Sequence, residues 1–194
     1  RVTPLRNLPE DGVIRIAIPS VAQKLTAAFV RCLGEVQARA ACPVEFVFFT
    51  GEAGVSHAAA THNLLRELKN ATIHGALPYP DYIREINRCQ IHACTFPFGG
   101  TNSLLDSLHQ GLPLVAMEGA EVHARIDASF IRRAGLPKNL ICHSEQEYVD
   151  CLLRLVEHPD EILRLRHQLL NGDSVNSVFM RTGIPELFAD QLRS

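Results

Sequence analysis

Lysine is scarce in this chain. Lys24, Lys69 and Lys138 are the only lysines among 19 basic residues, and 21 acidic residues bring the net charge to −2. No Lys/Arg-rich face emerges, which argues against nucleic acid as the main partner. It also gives a lysine at a motif position extra weight. No stretch approaches the roughly 18 apolar residues of a membrane span, and the amino terminus lacks a secretory signal pattern. Six cysteines are present, at 32, 42, 89, 94, 142 and 151, and none forms a Cys-x-x-Cys pair. Cys89, His92 and Cys94 match no standard zinc spacing, so no metal is expected. Structural thiols of a reducing, cytoplasmic protein are the favoured reading. Also missing are a Gly-x-Ser-x-Gly elbow, a Walker motif, an Asp-x-Asp pair and the dinucleotide fingerprint Gly-x-Gly-x-x-Gly.

What is present is regular alternation. A chain of 194 residues suits one sizeable α/β domain, taken as 1–194. Buried β runs are expected at 13–18, 44–49, 71–73, 91–96, 112–117 and 140–143. Helical periodicity occupies 21–41, 58–68, 79–89, 102–110, 121–134, 145–156, 160–170 and 185–192. Gly111 and Gly135 close two of these helices, and Ser144 with Glu147 suggests a capping box. Strands joined by helical crossovers imply a Rossmann-like doubly wound parallel sheet. Ligands of such sheets sit beyond the strands' carboxyl ends, here the turns after Ile18, Ile73, Phe96 and Met117. Residues 1–11 read as a loop-like lead-in without an initiator methionine, as expected of a piece of a longer protein.

The most informative stretch is Phe96-Pro-Phe-Gly-Gly-Thr-Asn-Ser-Leu-Leu-Asp106. Gly99 and Gly100 free the backbone for tight or left-handed turns and for close ligand approach. Thr101 or Asn102 can cap the following helix, whose N-terminus suits a diphosphate. Asp106, four residues after Asn102, shares its face and can accept two hydrogen bonds from a ribose diol. The plain alternative is an ordinary glycine turn with a capped helix. Lys24, near the turn after the first strand, could neutralise a diphosphate or be a solvated surface lysine. Pro78 and Tyr79, after the third strand, could border a base or form a stiff helix start. Glu121 and His123 could face the same cleft; His57 and His62 are assigned nothing. With no obvious metal site, lysine and helix dipoles remain as charge compensation.

Those residues, with Gly119-Ala-Glu-Val-His-Ala-Arg-Ile-Asp127 and Arg133-Ala-Gly-Leu-Pro137, closely resemble the HMW1C-like bacterial protein N-glycosyltransferases, relatives of O-linked N-acetylglucosamine transferase. The likeness runs from about Val13 to the C-terminus. It implies the C-terminal, donor-binding lobe of a GT-B enzyme. It further implies inverting, metal-independent transfer of a hexose, glucose first, from a UDP-sugar to asparagine of a protein acceptor such as an adhesin. By resemblance, Lys24 contacts the diphosphate, Thr101 and Asn102 bind it after Gly99 and Gly100, Asp106 holds the ribose, and Pro78-Tyr79 borders the uracil. Val21, and Gly75-Ala76-Leu77, depart from the family pattern at positions that bear on donor binding or sugar preference. An N-terminal lobe supplying the acceptor site has no counterpart here, so the chain alone is expected to bind donor but transfer poorly. Two other readings are a non-catalytic UDP-sugar-binding module and a GT-B transferase acting on a small molecule or glycan.

Overall fold

The structure, a computed structural model, describes residues 3–5 and 7–172. Six strands run in chain order: β1 (Ile14–Ile18), β2 (Val44–Phe49), β3 (Ala71–His74), β4 (Ile91–Ala93), β5 (Leu114–Met117) and β6 (Ile141–Cys142). Among the described residues seven α-helices accompany them: α1 (Ala27–Arg39), α2 (Gly54–Glu67), α3 (Tyr79–Asn87), α4 (Asn102–His109), α5 (Ile126–Arg133), α6 (Glu145–Glu157) and α7 (Pro159–Asn171). The strand order is β3-β2-β1-β4-β5-β6, with every pair parallel. This is the doubly wound order, with its topological switch between β1 and β4.

Burial on both faces explains the near-continuous apolar strands. Ile14, Ile16 and Ile18 join Phe46 and Phe48 in one cluster with Phe29, Leu33 and Val36 of α1 and Tyr148, Leu152 and Leu155 of α6. Ala17, Val47 and Phe49 point the other way, onto Ile86, Cys89 and Leu112, with Tyr82 packed at the edge. Period-two alternation thus divides one strand between two cores.

Element order agrees with the sequence expectation, and boundaries move. The expected helix 21–41 starts late: a 3₁₀ turn at Ala22–Lys24 precedes α1, and Thr26 caps α1 by accepting from the Phe29 amide at 3.2 Å. Lys24 therefore sits in a connecting turn rather than inside the first helix. The helix expected at 121–134 divides into a 3₁₀ turn, Val122–Arg125, and α5. The strand expected at 91–96 pairs only over Ile91–Ala93, because Thr95 turns its hydroxyl back to the Phe98 carbonyl at 2.7 Å. At α6, Ser144 Oγ accepts from the Glu147 amide at 3.1 Å. The Glu147 carboxylate accepts from the His143 amide rather than from Ser144, so the capping box is offset by one residue. The helix expected at 185–192 lies outside the described residues.

Candidate functional site

Beyond the carboxyl ends of β1 and β4, two loops are laced together. Ser20 Oγ lies 3.2 Å from Thr95 Oγ1, both buried. Thr26 Oγ1 donates to the Phe96 carbonyl at 3.2 Å. Lys24 Nζ donates to the Gly99 carbonyl at 2.6 Å. Lys24 and the glycine turn, 75 residues apart in sequence, therefore share one site. The switch point brings them together, since β1 and β4 are sheet neighbours.

The turn itself is held from below. Phe96 packs edge-on against Phe29 and Tyr148, at ring-centroid distances of 5.5 and 5.2 Å. Tyr148 donates its hydroxyl to the Cys94 carbonyl at 2.9 Å. Phe98, by contrast, is about half exposed and stacks on His123 at 4.5 Å. His123 thus reaches the site, while Glu121 is exposed at the start of its 3₁₀ turn.

Neither Gly99 nor Gly100 takes a positive φ, so no left-handed backbone requires them, and it is at Gly99 that space is tight. A Cβ on Gly99 would fall 1.8 Å from Asp127 Oδ2, and one on Gly100 would fall 2.6 Å from Ser103 Oγ. The expected cap of α4 does not form. Thr101 precedes the helix with αR backbone angles and makes no side-chain capping bond, and the helix begins at Asn102. Thr101 and Asn102 are both exposed there. The α4 amino terminus thus lacks a side-chain cap and opens beside Lys24, an arrangement suited to an anion.

Asp106 is half-buried on α4, and its Oδ1 accepts the Tyr79 hydroxyl at 2.7 Å. Burial pushes the Asp106 carboxyl up, against the opposing pull of that hydrogen bond and of the His109 charge. Tyr79, at the start of α3 after Pro78, is itself exposed. The turn after β3 is thereby tied to α4. Sequence reasoning placed these residues in one cleft but did not foresee their pairing, which two helix starts in space create.

Asp127 was not singled out as a candidate from the sequence, although it lies within the Gly119–Asp127 motif. It is the second residue of α5, is 6% exposed, and its Oδ1 has no hydrogen-bond partner. Burial pushes its carboxyl up to about 7, opposed by the Cys94 thiol and the Lys24 charge. A buried acid with an unmatched oxygen against a glycine turn is a recognisable signal only once α5 is folded against the loop after β4. Among the described residues no three His, Cys, Asp or Glu side chains come together to hold a metal ion. His92, considered with Cys89 and Cys94 as a ligand set, is instead buried beside the Ser107 hydroxyl at 2.7 Å.

The turns after β1, β3, β4 and β5 therefore meet around an open helix terminus. Over 98% of its length, the chain is 35% identical to the UDP-glucose:protein N-beta-glucosyltransferase of Actinobacillus pleuropneumoniae serotype 5b, and covers 31% of that protein. The resemblance is to a protein N-glucosyltransferase. A shorter match, 33% identical over 90 residues, is to the probable UDP-N-acetylglucosamine–peptide N-acetylglucosaminyltransferase SPINDLY of Solanum lycopersicum, covering 46% of this chain and 10% of that one. Among solved structures, the O-GlcNAc transferase of Thermobaculum terrenum superposes on 97% of this chain and 37% of its own, with TM-score 0.77 and 20% identity. The catalytic domain of the Helicobacter pylori cholesterol-alpha-glucosyltransferase superposes with TM-score 0.60 and 10% identity, over 84% of this chain and 98% of its own. The fold is the doubly wound sheet of GT-B glycosyltransferases. No protein-family model matches the chain. The chain spans about a third of the length of the N-glucosyltransferases it matches.

Proposed function

We propose that this chain is the donor-nucleotide-binding lobe of a glycosyltransferase that moves glucose from UDP-glucose to an asparagine side chain of a protein. The observation that carries the nucleotide reading is the uncapped start of α4 facing Lys24 at the switch point of the sheet. The activity for which those relatives are named, glucosylation of protein from UDP-glucose, supports the choice of sugar and acceptor.

In this reading the diphosphate lies on Thr101, Asn102 and the first amides of α4, with Lys24 swung from the Gly99 carbonyl onto a phosphate oxygen. Asp106 accepts the ribose hydroxyls, and the Pro78-Tyr79 turn borders the uracil. The asparagine amide nitrogen attacks the sugar's anomeric carbon as the bond to the diphosphate oxygen breaks. UDP leaves with the electron pair, and the nitrogen's proton passes to a base that the residues named here do not supply. Attack opposite the departing UDP inverts the anomeric centre. Lys24 and the α4 dipole stabilise the charge that develops on UDP, which is where preorganised positive groups lower the barrier. No metal is required for that step in this proposal. The acceptor, an adhesin-like protein, docks on a further lobe of the same enzyme, and the free thiols of all six cysteines suit a cytoplasmic location.

Calorimetric titration with UDP, UDP-glucose and ADP tests the donor site. Selective uridine-nucleotide binding is expected, weakened at least about tenfold by Lys24→Ala and by Asp106→Ala, the loss of one charge-assisted contact each. Equal binding of ADP, or full binding by both variants, would sink the assignment.

A further inference from the structure

We infer that Asp127 couples occupation of this site to protonation: an anionic diphosphate settling between Lys24 and the start of α4 drives a proton onto the Asp127 carboxyl. The inference rests on the donor-site reading above and deepens it.

The geometry sets up a competition. Asp127 packs so closely on Gly99 that a Cβ there would overlap its carboxyl. The carbonyl of that same Gly99 holds the Lys24 ammonium. Asp127 is buried, and its Oδ1 has no partner. Nothing in the described site other than Lys24 offers it a compensating full charge. From the residue just after β4 the Cys94 thiol faces the carboxyl, and Lys24 faces it from the turn after β1. On its own helix, Arg132 at the far end is paired with Glu118. Arg125, just before α5, donates its Nε to the Gly119 carbonyl. Asp127 and a bound diphosphate therefore depend on the same ammonium.

Two anions that share one cation disfavour each other's charge, and the penalty is greatest at the buried carboxyl. The diphosphate carries two permanent charges, so the side chain is the group that yields. Burial already holds the Asp127 carboxyl near neutrality, at about 7, so little additional field is needed to keep its proton on. By reciprocity, if nucleotide binding favours the neutral acid, the neutral acid favours nucleotide binding. Affinity for the donor should then fall as pH rises.

The test is calorimetry of the wild-type chain and Asp127→Asn with UDP-glucose at pH 6, 7 and 8.5, in buffers of different ionisation enthalpy. UDP-glucose is chosen because its diphosphate has no group titrating in that range. The wild type should take up about half a proton per ligand at pH 7, and its affinity should fall by about fivefold or more between pH 7 and 8.5. Asp127→Asn should show neither proton uptake nor that fall. His123 and Asp106 are unchanged in the variant, so a signal from them would persist. Carbon-13 NMR of the wild-type carboxyl gives a second readout, in which the Asp127 midpoint should move upward on adding UDP-glucose. Binding without proton uptake, a variant with the wild-type pH profile, or a midpoint that does not move overturns the inference and leaves the donor site standing. Failure to bind UDP-glucose at every pH overturns the donor site itself, and the coupling with it.

Discussion

Asp127 has a consequence for stability that does not depend on any ligand. Its carboxyl titrates at about 7 in the folded chain against an ordinary value of 3.8. The folded state thus keeps a proton that the unfolded chain releases above pH 4. Stability is therefore lost as pH rises from about 4 through 7, and the cost is fully present above that. Asp127→Asn removes it. Urea unfolding should find the variant more stable than wild type by roughly 2–4 kcal/mol at pH 8, with the gap closing toward pH 4. A gap independent of pH would point to packing instead. Gly99 belongs to the same contact. Gly99→Ala should destabilise by about 1–3 kcal/mol, the usual cost of overpacking. Asp127→Gly in that background should recover part of the loss, because it vacates the space the methyl group needs.

At the scale of elements, the site is stiff because the segments that carry it are tied to the core. Thr26 caps α1 with one lone pair and holds the Phe96 carbonyl with its proton. Thr26→Ala should cost about 1–2 kcal/mol in thermal unfolding, a normal cap loss with one further bond removed. It should also weaken UDP binding, since the same hydroxyl joins the loops after β1 and β4. Unchanged UDP affinity would show that the loops are held without it. A second tie secures the opposite end of the sheet. Arg166 of α7 is fully buried, donates to the carbonyls of Cys89, Leu5 and Asn7, and is pushed down to about 10 by burial. It holds the lead-in segment that sequence reading treated as a plain loop. Helix α7 looked merely amphipathic, and no local pattern announces that one of its arginines points inward.

For the molecule as a whole, the switch point decides which residues can act together. Lys24, Tyr79, Gly99 and Asp127 follow four different strands, β1, β3, β4 and β5, and the order β3-β2-β1-β4-β5-β6 gathers them. The chain corresponds to 31% of the N-glucosyltransferases it matches, so binding and transfer should separate. This chain alone is expected to bind UDP-glucose but to glucosylate an asparagine-bearing acceptor peptide poorly or not at all. Fused to the remaining length of such a protein, it should produce a hexose mass increase on the peptide. A verified full-length protein without turnover on any acceptor would leave a nucleotide-binding module in place of an enzyme.

The element order was legible from periodicity, because strands buried on both faces must be continuously apolar and crossover helices must be amphipathic. The glycine turn, Lys24 and Asp106 could be singled out as candidates because the features that mark them are local: small residues, a helix start, a rare lysine and an acid at fixed spacing. Helix starts were less legible, because Thr26 competed with a longer run of helical spacing and Thr101 looked like a cap it does not form. What sequence could not determine is which groups meet. The Tyr79–Asp106 bond, the Lys24–Gly99 bond and the stack of Phe98 on His123 link residues from 25 to 75 positions apart. Asp127 acquires its unusual proton affinity from burial against Gly99, in opposition to the field of Lys24. Both arise only when separate loops pack together, since desolvation and charge proximity are properties of three-dimensional surroundings and not of a residue's neighbours along the chain.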